Sequence, residues 1–244
     1  MAPQVRIGCA GWQLPLPVQS AFPAGAAHLE RYAQVFRATE INSSFHRPHR
    51  PSTYARWAAQ VPPAFAFSAK LPKAITHERR LVACEPLLDA FLAEAAPLGA
   101  QLACVLVQLP PSLAFDAGVA GSFVEALRAR FERHVALEPR HASWFTPEVD
   151  DWLAQRRVAR VLADPVRHAG GERPGGWQPL VYLRLHGSPR TYYSSYGEEL
   201  LQALADRVRQ EAAAGHEVWC IFDNTAGQAA AGNALSLQRL LLQT

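Results

Sequence analysis

Short apolar runs alternate with amphipathic segments along nearly the whole chain, and this alternation limits the folds that are available to it. The strand candidates are residues 5–9, 38–41, 64–69, 102–108, 134–138, 159–163, 180–185 and 218–222. The helix candidates are residues 28–36, 52–60, 85–96, 117–130, 147–155, 198–214 and 226–242. Successive strands start about 20 to 38 residues apart, as βα units require. Strict alternation of this kind predicts a parallel sheet that is covered by helices.

Eight strands in 244 residues favour a closed barrel over an open, doubly wound sheet. The chain contains no GxGxxG after the first strand and no GxxxxGK[ST], so the common nucleotide-binding open sheets lose support. Residues 165–179 (PVRHAGGERPGGWQP) are rich in glycine and proline and predict a loop in place of a full sixth helix. We therefore expect a single α/β domain over residues 1–244, a (β/α)8 TIM-type barrel whose sixth helix is irregular or missing.

Composition excludes several classes of protein. Hydrophobic residues make up 49% and charged residues 18%, so the chain can bury a core and is not disordered. The mean hydropathy is −0.07, and no apolar run approaches the roughly 20 residues of a membrane helix. Residues 1–6 reach the first strand at once and leave no room for a signal peptide. We expect a soluble, cytoplasmic protein with no membrane association.

Cysteines and basic residues narrow the chemistry further. None of the four cysteines forms a CxxC pair, so neither a zinc knuckle nor a thioredoxin motif is present, and a disulfide framework is not expected. The net charge of +3 is mildly basic and does not by itself require nucleic acid. Lys70 and Lys73 are the only lysines among 24 basic residues. Lysine can lose its proton when it is desolvated and arginine cannot, which directs attention to these two positions.

Polar side chains occur at the ends of nearly all the predicted strands. They are Trp12, Glu40, Asn42, Lys70, Gln108, Glu138, Arg140, Asp164, Arg184, His186, Asp223 and Asn224. In a (β/α)8 barrel the active site lies at the carboxyl ends of the strands and in the loops that follow. We expect these side chains to meet in one pocket, where crowding and desolvation perturb their pKa values.

These residues also carry a family resemblance that runs almost from end to end. The matching segments are IGCAGW at 7–12, EINSSF at 40–45, FSAKLPKAITH at 67–77, LVQLPPS at 106–112, ALEPRHASW at 136–144, ADP at 163–165, YLRLHG at 182–187 and FDNTAGQAAAGNA at 222–234. With these motifs the chain resembles the YecE-like family, domain of unknown function family 72. The resemblance implies a TIM-type barrel and no assigned reaction. It also adds Phe45, His77 and Trp144 to the residues expected at the site. One departure is Phe45-His46, where an aromatic pair such as Phe-Tyr is expected.

The chemistry that we favour is metal-free proton transfer on a small anionic substrate that carries phosphate or carboxylate. Arg140 and Arg184 are suited to hold such an anion through paired hydrogen bonds. Glu138 or Glu40 is the candidate general base, and His186 is the candidate general acid. A hydrogen-bonded structural role is the alternative for His186. No sequence motif identifies a cofactor.

Lys70 has two alternative roles at the same rim. It is suited to stabilise a developing oxyanion, or to act as an amine nucleophile if a neighbour lowers its pKa. The competing interpretation is a structural ion pair with Glu40 on the adjacent strand. The catalytic candidates are thus Glu138, His186 and Lys70. Expected to bind substrate are Trp12, Glu40, Asn42, Phe45, His77, Gln108, Arg140, Trp144, Asp164, Arg184, Asp223 and Asn224.

Two other functions stay open at this stage. A phosphoesterase or sugar isomerase would hold a divalent metal through the oxygen and nitrogen atoms of Glu40, Glu138, Asp164, Asp223 and His186. A protein that binds nucleic acid without catalysis would stack bases on its rim aromatics and hold phosphates with nearby arginines. The residues in question are Trp12, Phe45, Trp144, Tyr192, Tyr193, Tyr196, Arg47, Arg50, Arg140 and Arg190. Ordinary solvated loops are the simpler interpretation of those arginines.

Overall fold

The computed structural model describes residues 4–243, so residues 1–3, which enter the signal-peptide expectation, lie outside the described part. Within that part, ten β segments and seven α-helices follow one another. The strands are β1 (Val5–Cys9), β2 (Ala38–Ile41), β3 (Ala66–Lys70), β4 (Leu102–Gln108), β5 (His134–Glu138), β6 (Val158–Arg160), β7 (Leu162–Asp164), β8 (Gly175–Gly176), β9 (Leu180–Leu185) and β10 (Glu217–Phe222). The helices are α1 (His28–Ala33), α2 (Pro51–Ala59), α3 (Glu85–Ala95), α4 (Ala117–Arg128), α5 (Pro147–Gln155), α6 (Glu198–Ala213) and α7 (Ala230–Leu242).

The strands form a mixed α/β fold with two sheets that are almost entirely parallel. One sheet has the order β1-β10-β9-β7, and the other has the order β2-β3-β4-β5-β6-β8. Only the short β8 runs antiparallel to its neighbour among the described strands. The sheets approach each other where Ala10 pairs with Glu40, and where Val161 alone separates β6 from β7. The prediction of a single strand over residues 159–163 is therefore wrong in one respect. This segment contains parts of two strands, β6 and β7, which belong to different sheets.

Tyr32 of α1 connects β1 to β2 at the first of these junctions. The Cys9 amide donates a hydrogen bond to the Tyr32 hydroxyl (2.8 Å), which in turn donates to the Ala38 carbonyl (3.0 Å). A Cβ at Gly8 would lie only 2.1 Å from the Ala38 oxygen, so this close approach requires glycine. The Thr39 hydroxyl adds a hydrogen bond to the Cys9 carbonyl at 2.9 Å. Hydrogen bonds from these side chains thus satisfy backbone amide and carbonyl groups that would otherwise be unpaired at the edge of a sheet.

Alternation along the strands creates two apolar layers. The larger layer lies between the strands and the helices. The smaller one lies on the opposite strand face and consists of Ala10, Ala38, Ala66, Cys104, Leu106, Ala136, Ala159, Val161, Leu180, Tyr182, Trp219 and Ile221. Tyr182 and Trp219 stack in it with their ring centroids 5.9 Å apart. Two residues beyond Ala38, Ala136, Tyr182 and Ile221 come Glu40, Glu138, Arg184 and Asp223, so charged side chains lie directly above this layer.

Several predicted boundaries differ from the observed ones. The segment between β7 and β9 contains the short β8 and no helix, as its glycines and prolines indicate. The last helix begins at Ala230, later than predicted, and Lys70 belongs to β3, which was predicted to end before it. Short turns of 3-10 helix and one π-helix, over Ala74–Glu78, were not predicted. All four cysteines are buried and free. No helix among residues 4–243 has the length and apolar character needed to cross a membrane.

Tyr32→Phe tests the junction between β1 and β2. The substitution leaves the Cys9 amide and the Ala38 carbonyl buried without partners, at a cost of about 1–3 kcal/mol. We expect the free energy of unfolding, measured with urea, to fall by that amount. Tyr193→Phe is the matched control, because Tyr193 is 48% exposed. Equal stability of the two variants would show that the hydroxyl of Tyr32 does not hold the junction.

Candidate active site

Arg184 is the centre of a buried charge cluster at the carboxyl ends of the strands. Its Nη2 and Nε donate to the two oxygens of Glu40 at 2.7 and 3.0 Å. Its Nη1 donates to Glu138 Oε2 at 3.1 Å, and Nη2 lies 3.0 Å from Asp223 Oδ2. Arg184 is only 1% exposed. A single guanidinium therefore orients three carboxylates that come from β2, β5 and the end of β10.

His186 lies between two of these carboxylates. Its Nε2 is 3.1 Å from Glu138 Oε1, and its Nδ1 is 3.0 Å from Asp223 Oδ2. The guanidinium nitrogens Arg140 Nη2 and Arg184 Nη1 lie 3.2 and 3.5 Å from the same Nε2. His186 thus has carboxylate acceptors and guanidinium donors around one ring, a position suited to proton transfer.

Glu138 and Asp223 stay ionised although they are buried. Burial raises the pKa of Glu138, but the positive charges of Arg184, His186 and Arg140 outweigh it and hold that pKa well below its ordinary value. For Asp223, Arg184 and the His186 hydrogen bond likewise outweigh burial and lower the pKa. A carboxylate with so low a pKa is a weak proton acceptor. Both oxygens of Glu138 are also engaged, Oε1 by Arg140 and His186 and Oε2 by Arg184, and this favours a positioning role over the predicted role of general base.

Arg140 lies at the open side of the cluster. Its Nε donates to Glu138 Oε1 at 2.7 Å, and its Nη2 lies 3.2 Å from His186 Nε2. Its side chain is 14% exposed, whereas that of Glu138 is fully buried. Its backbone carbonyl is 3.1 Å from His168 Nε2, a contact that fixes the start of the loop after β5. A small crevice of about 30 Å³ is lined by Arg140 and His186.

Lys70, at the end of β3, makes no ion pair with a described residue: no carboxylate within residues 4–243 lies within 4.0 Å of its Nζ. The predicted alternative, an ion pair with Glu40, is wrong because Glu40 is engaged by Arg184 and Tyr182. The Nζ instead lies 4.0 Å from the centroid of the Phe45 ring. Burial and the charge of Arg184 lower the pKa of Lys70 to about 8, although the nearby carboxylates oppose the shift.

His77 lies next to Lys70 across the same aromatic ring. Its ring centroid is 4.9 Å from that of Phe45, and its Nδ1 is 2.8 Å from the Thr76 hydroxyl. Burial, and then the charges of Lys70 and Arg140, lower the pKa of His77, so its ring is neutral at pH 7. His77 belongs to the π-helical turn, a distortion that is frequent at functional sites.

Two asparagines at strand ends carry unused acceptors. Oδ1 of Asn42 and Oδ1 of Asn224 are buried and accept no hydrogen bond from the described residues. The amide nitrogen of Asn224 is engaged, because it donates to the Ser194 carbonyl at 2.9 Å and to Asn233 Oδ1 at 2.8 Å. A substrate hydroxyl or amine is a suitable donor for such oxygens.

The structure does not bring every predicted residue to this cluster. Trp144 is 1% exposed and donates its indole N–H to the Leu113 carbonyl at 2.9 Å, so it is a core residue and no ligand can stack on it. Tyr196 is also buried, and its hydroxyl donates to Asp164 Oδ1 at 2.7 Å. The nucleic-acid hypothesis loses both aromatics for this reason. The carboxylate of Asp164 is held by Tyr196 and makes no ion pair within residues 4–243, whereas its backbone carbonyl accepts a hydrogen bond from the His186 amide at 2.8 Å.

The remaining rim residues are half-buried. Trp12 packs edge-on against Trp57 at 5.0 Å, and Gln108 donates to the Leu109 carbonyl at 3.3 Å. Neither contact binds them to the charge cluster. Tyr192 is 41% exposed, and its ring meets the ring of His186 edge-on at 5.5 Å.

Sequence reasoning missed Tyr182. Its buried hydroxyl lies 3.0 Å from Glu40 Oε2 and 3.1 Å from Ser68 Oγ, beneath Arg184. The signal was present, because Tyr182, Arg184 and His186 are two residues apart and point to one face of β9. A polar hydroxyl in an otherwise apolar run marks that face.

Cations occupy the positions where a metal would neutralise the carboxylates. Arg184 contacts Glu40, Glu138 and Asp223, and Arg140 also contacts Glu138. Within residues 4–243, no group of three or more histidine, cysteine, aspartate and glutamate side chains is arranged to hold a metal ion. The two guanidinium groups thus offset two of the three negative charges of this donor set.

A family sequence model described as "Protein of unknown function DUF72" matches residues 6–244 of this chain. The chain belongs to the DUF72 family. It is 28% identical over 166 residues to the UPF0759 protein YecE of Escherichia coli K12, an alignment covering 66% of this chain and 59% of YecE. It is 23% identical to the UPF0759 protein YunF of Bacillus subtilis, with 97% and 94% of the two chains covered.

Solved structures of DUF72 proteins share the fold. One from Enterococcus faecalis superposes with a TM-score of 0.80 at 24% identity, covering 99% of both chains. One from Thermotoga maritima gives a TM-score of 0.79 at 24% identity, covering 98% of this chain and all of the other. The described fold is therefore the fold of DUF72 proteins from distant bacteria.

Arg184→Met tests the central cation in this DUF72 protein. The variant leaves three buried carboxylates without their shared partner, and removal of one member of a buried ion pair costs about 3–5 kcal/mol. We expect a loss of at least that size in the free energy of unfolding. Arg130→Met, which removes an exposed pair with Asp89, is the control and should lose far less. Similar losses in the two variants would contradict the central role of Arg184.

Lys70→Met tests the cost of the buried amine. Below pH 8 the amine is charged in the folded and unfolded states, so folding buries a charge. Between pH 8 and the ordinary pKa of 10.5 only the unfolded chain keeps the proton, so the wild type gains stability as pH rises. We expect any stability advantage of Lys70→Met at pH 7 to shrink by on the order of 3 kcal/mol by pH 10. A difference between the two proteins that does not change with pH would contradict the lowered pKa.

Proposed function

We propose that the two sheets are parts of one eight-stranded (β/α)8 barrel, with β6 and β7 together forming the sixth strand. The bridge between Ala10 and Glu40 and the Tyr32 hydrogen bonds support closure on one side. On the other side, the Val161 amide donates to the Leu137 carbonyl at 2.9 Å while β7 pairs with β9. In this arrangement the small apolar layer fills the barrel, and the charged cluster closes its carboxyl end.

We infer that the protein is an enzyme that acts on a small anion carrying phosphate or carboxylate at this end. The observation that carries the proposal is the difference in burial between Arg140 and the carboxylates. The side chains of Glu40 and Glu138 have no exposed surface and that of Asp223 has 5%, whereas the Arg140 side chain is 14% exposed. A ligand that enters from solvent therefore meets the guanidinium of Arg140 before it meets the carboxylates.

The roles follow from this arrangement. Arg140 binds the anionic group through its N–H fork, which the carboxylate of Glu138 keeps oriented. His186, held between Glu138 and Asp223, donates a proton, and neutral His77 is suited to accept one. Lys70 stabilises negative charge that develops on a substrate oxygen. Phosphate and carboxylate compounds are the substrate class that these groups select.

Arg140→Gln tests the anion site. Loss of a charged hydrogen-bond donor costs about 1.5–3 kcal/mol, which corresponds to roughly tenfold to hundredfold weaker binding. We expect inorganic phosphate, sulfate or citrate to bind the wild type in titration calorimetry, and Arg140→Gln to bind at least tenfold more weakly.

The matched control is Arg37→Gln, because Arg37 is exposed and directly precedes β2, at the opposite end of the strands. This variant should bind like the wild type. The proposal fails if none of the three anions binds the wild type, or if both variants weaken binding equally.

A further inference from the structure

Lys70 is a cation of the cluster that pairs with no described carboxylate. Arg184 and Arg140 both contact carboxylates, whereas the Nζ of Lys70 contacts the face of Phe45. An ammonium that makes no ion pair is costly to bury, so the charge that Lys70 adds near the three carboxylates is held without a direct partner. A direct ion pair therefore does not account for this lysine.

We propose that Lys70, beyond the electrostatic role of its charged form, acts in its uncharged form as a covalent catalytic residue whose amine forms an imine with an aldehyde or ketone carbonyl of the anionic substrate. The proposal rests on the anion site of the proposed function, since Arg140 would hold the phosphate or carboxylate while the carbonyl meets Lys70. It narrows the substrate class to anionic carbonyl compounds, such as 2-oxo acids and the phosphates of keto- or aldo-sugars.

The surroundings of Lys70 favour a neutral amine. Phe45 covers the amine on one side, and the guanidinium of Arg184 adds a like charge nearby. A lysine desolvated in this way, or placed beside another cation, is an activated nucleophile. With a pKa of about 8, roughly one amine in ten is uncharged at pH 7, against about one in three thousand at the ordinary value.

The other lysine of the chain has the opposite surroundings. The Nζ of Lys73 lies 3.2 Å from Glu78 Oε1, and its side chain is 52% exposed. An exposed amine beside a carboxylate keeps its proton at neutral pH. Two lysines three positions apart thus differ in burial and in charge partner, and only Lys70 faces the cluster.

The step balances without any other reactant. The nitrogen lone pair of Lys70 adds to the carbonyl carbon, and the carbonyl π electrons move to oxygen, which takes up a proton. In the resulting carbinolamine one proton passes from the nitrogen to this oxygen, which leaves as water, and the nitrogen lone pair closes a protonated C=N bond. Water is the by-product, and nothing is oxidised or reduced. The iminium then accepts electrons from the adjacent carbon, so that a proton or a carbon–carbon bond can be lost there, with His77 or His186 carrying the proton.

Reductive trapping tests the proposal. The full chain is incubated separately with pyruvate, glyoxylate and dihydroxyacetone phosphate, reduced with sodium borohydride, and analysed by intact mass and peptide mapping. We expect at least one probe to label Lys70 at least about tenfold more than Lys73, in line with the difference in pKa between a buried and an exposed lysine. Lys73→Arg should be labelled like the wild type, and Lys70→Arg should not be labelled above background.

Three outcomes would overturn the inference. They are the absence of an adduct with all three probes, equal labelling of Lys70 and Lys73, and unchanged labelling of Lys70→Met, which serves as a second variant if Lys70→Arg does not fold. Calorimetry with the same probes, without borohydride, separates the two proposals. Binding without an adduct leaves the anion site in place and removes the imine, whereas the absence of binding removes both.

Discussion

The buried guanidinium of Arg184 is the interaction on which the arrangement of the site depends. Three carboxylates of like charge would repel one another in an apolar interior, and each would tend to take up a proton. Arg184 donates to Glu40 and Glu138 and contacts Asp223, so all three are fixed in direction, and its charge lowers the pKa values of Glu138 and Asp223. His186 is then oriented by two of them, and Arg140 by one. The groups nearest to solvent thus derive their orientation from a group that solvent does not reach.

This arrangement arises because successive side chains along a strand point to opposite faces, so that every second residue lies on the same face. Five of the twelve residues in the small apolar layer are alanine, and Tyr182 and Trp219 are its largest side chains. The next residue of the same parity is charged on several strands, so the charged layer lies above this one, with Glu40 and Glu138 two residues beyond alanines. Tyr182 links the layers, because its ring stacks on Trp219 and its hydroxyl meets Glu40.

The sequence predicted which strand ends carry charge, because parity and strand order are local properties. It therefore identified Glu40, Glu138, Arg184, His186 and Asp223, which the structure brings within hydrogen-bond distance of one another. Which charged side chains pair with one another could not be predicted, since this depends on the length and shape of the side chains.

The assignment of partners illustrates this limit. Glu40 was assigned to Lys70 as a structural alternative, but the fork of Arg184 matches both carboxylate oxygens and Tyr182 takes a further position. Loop side chains were the least predictable. Trp144 follows a strand end yet turns into the core, where the Leu113 carbonyl accepts its N–H. No periodicity in the sequence distinguishes that direction from one toward the pocket.

The hydrogen bonds of Tyr32 have a consequence for how the molecule can open. Between most neighbouring strands, amide and carbonyl groups pair directly, and separating them requires the strands to move apart. At β1 and β2 the same groups are joined through a hydroxyl that belongs to helix α1. Opening at this seam is thus coupled to the motion of a helix. Exchange of the Cys9 amide with solvent deuterium would therefore report on the docking of α1, and not only on the pairing of strands.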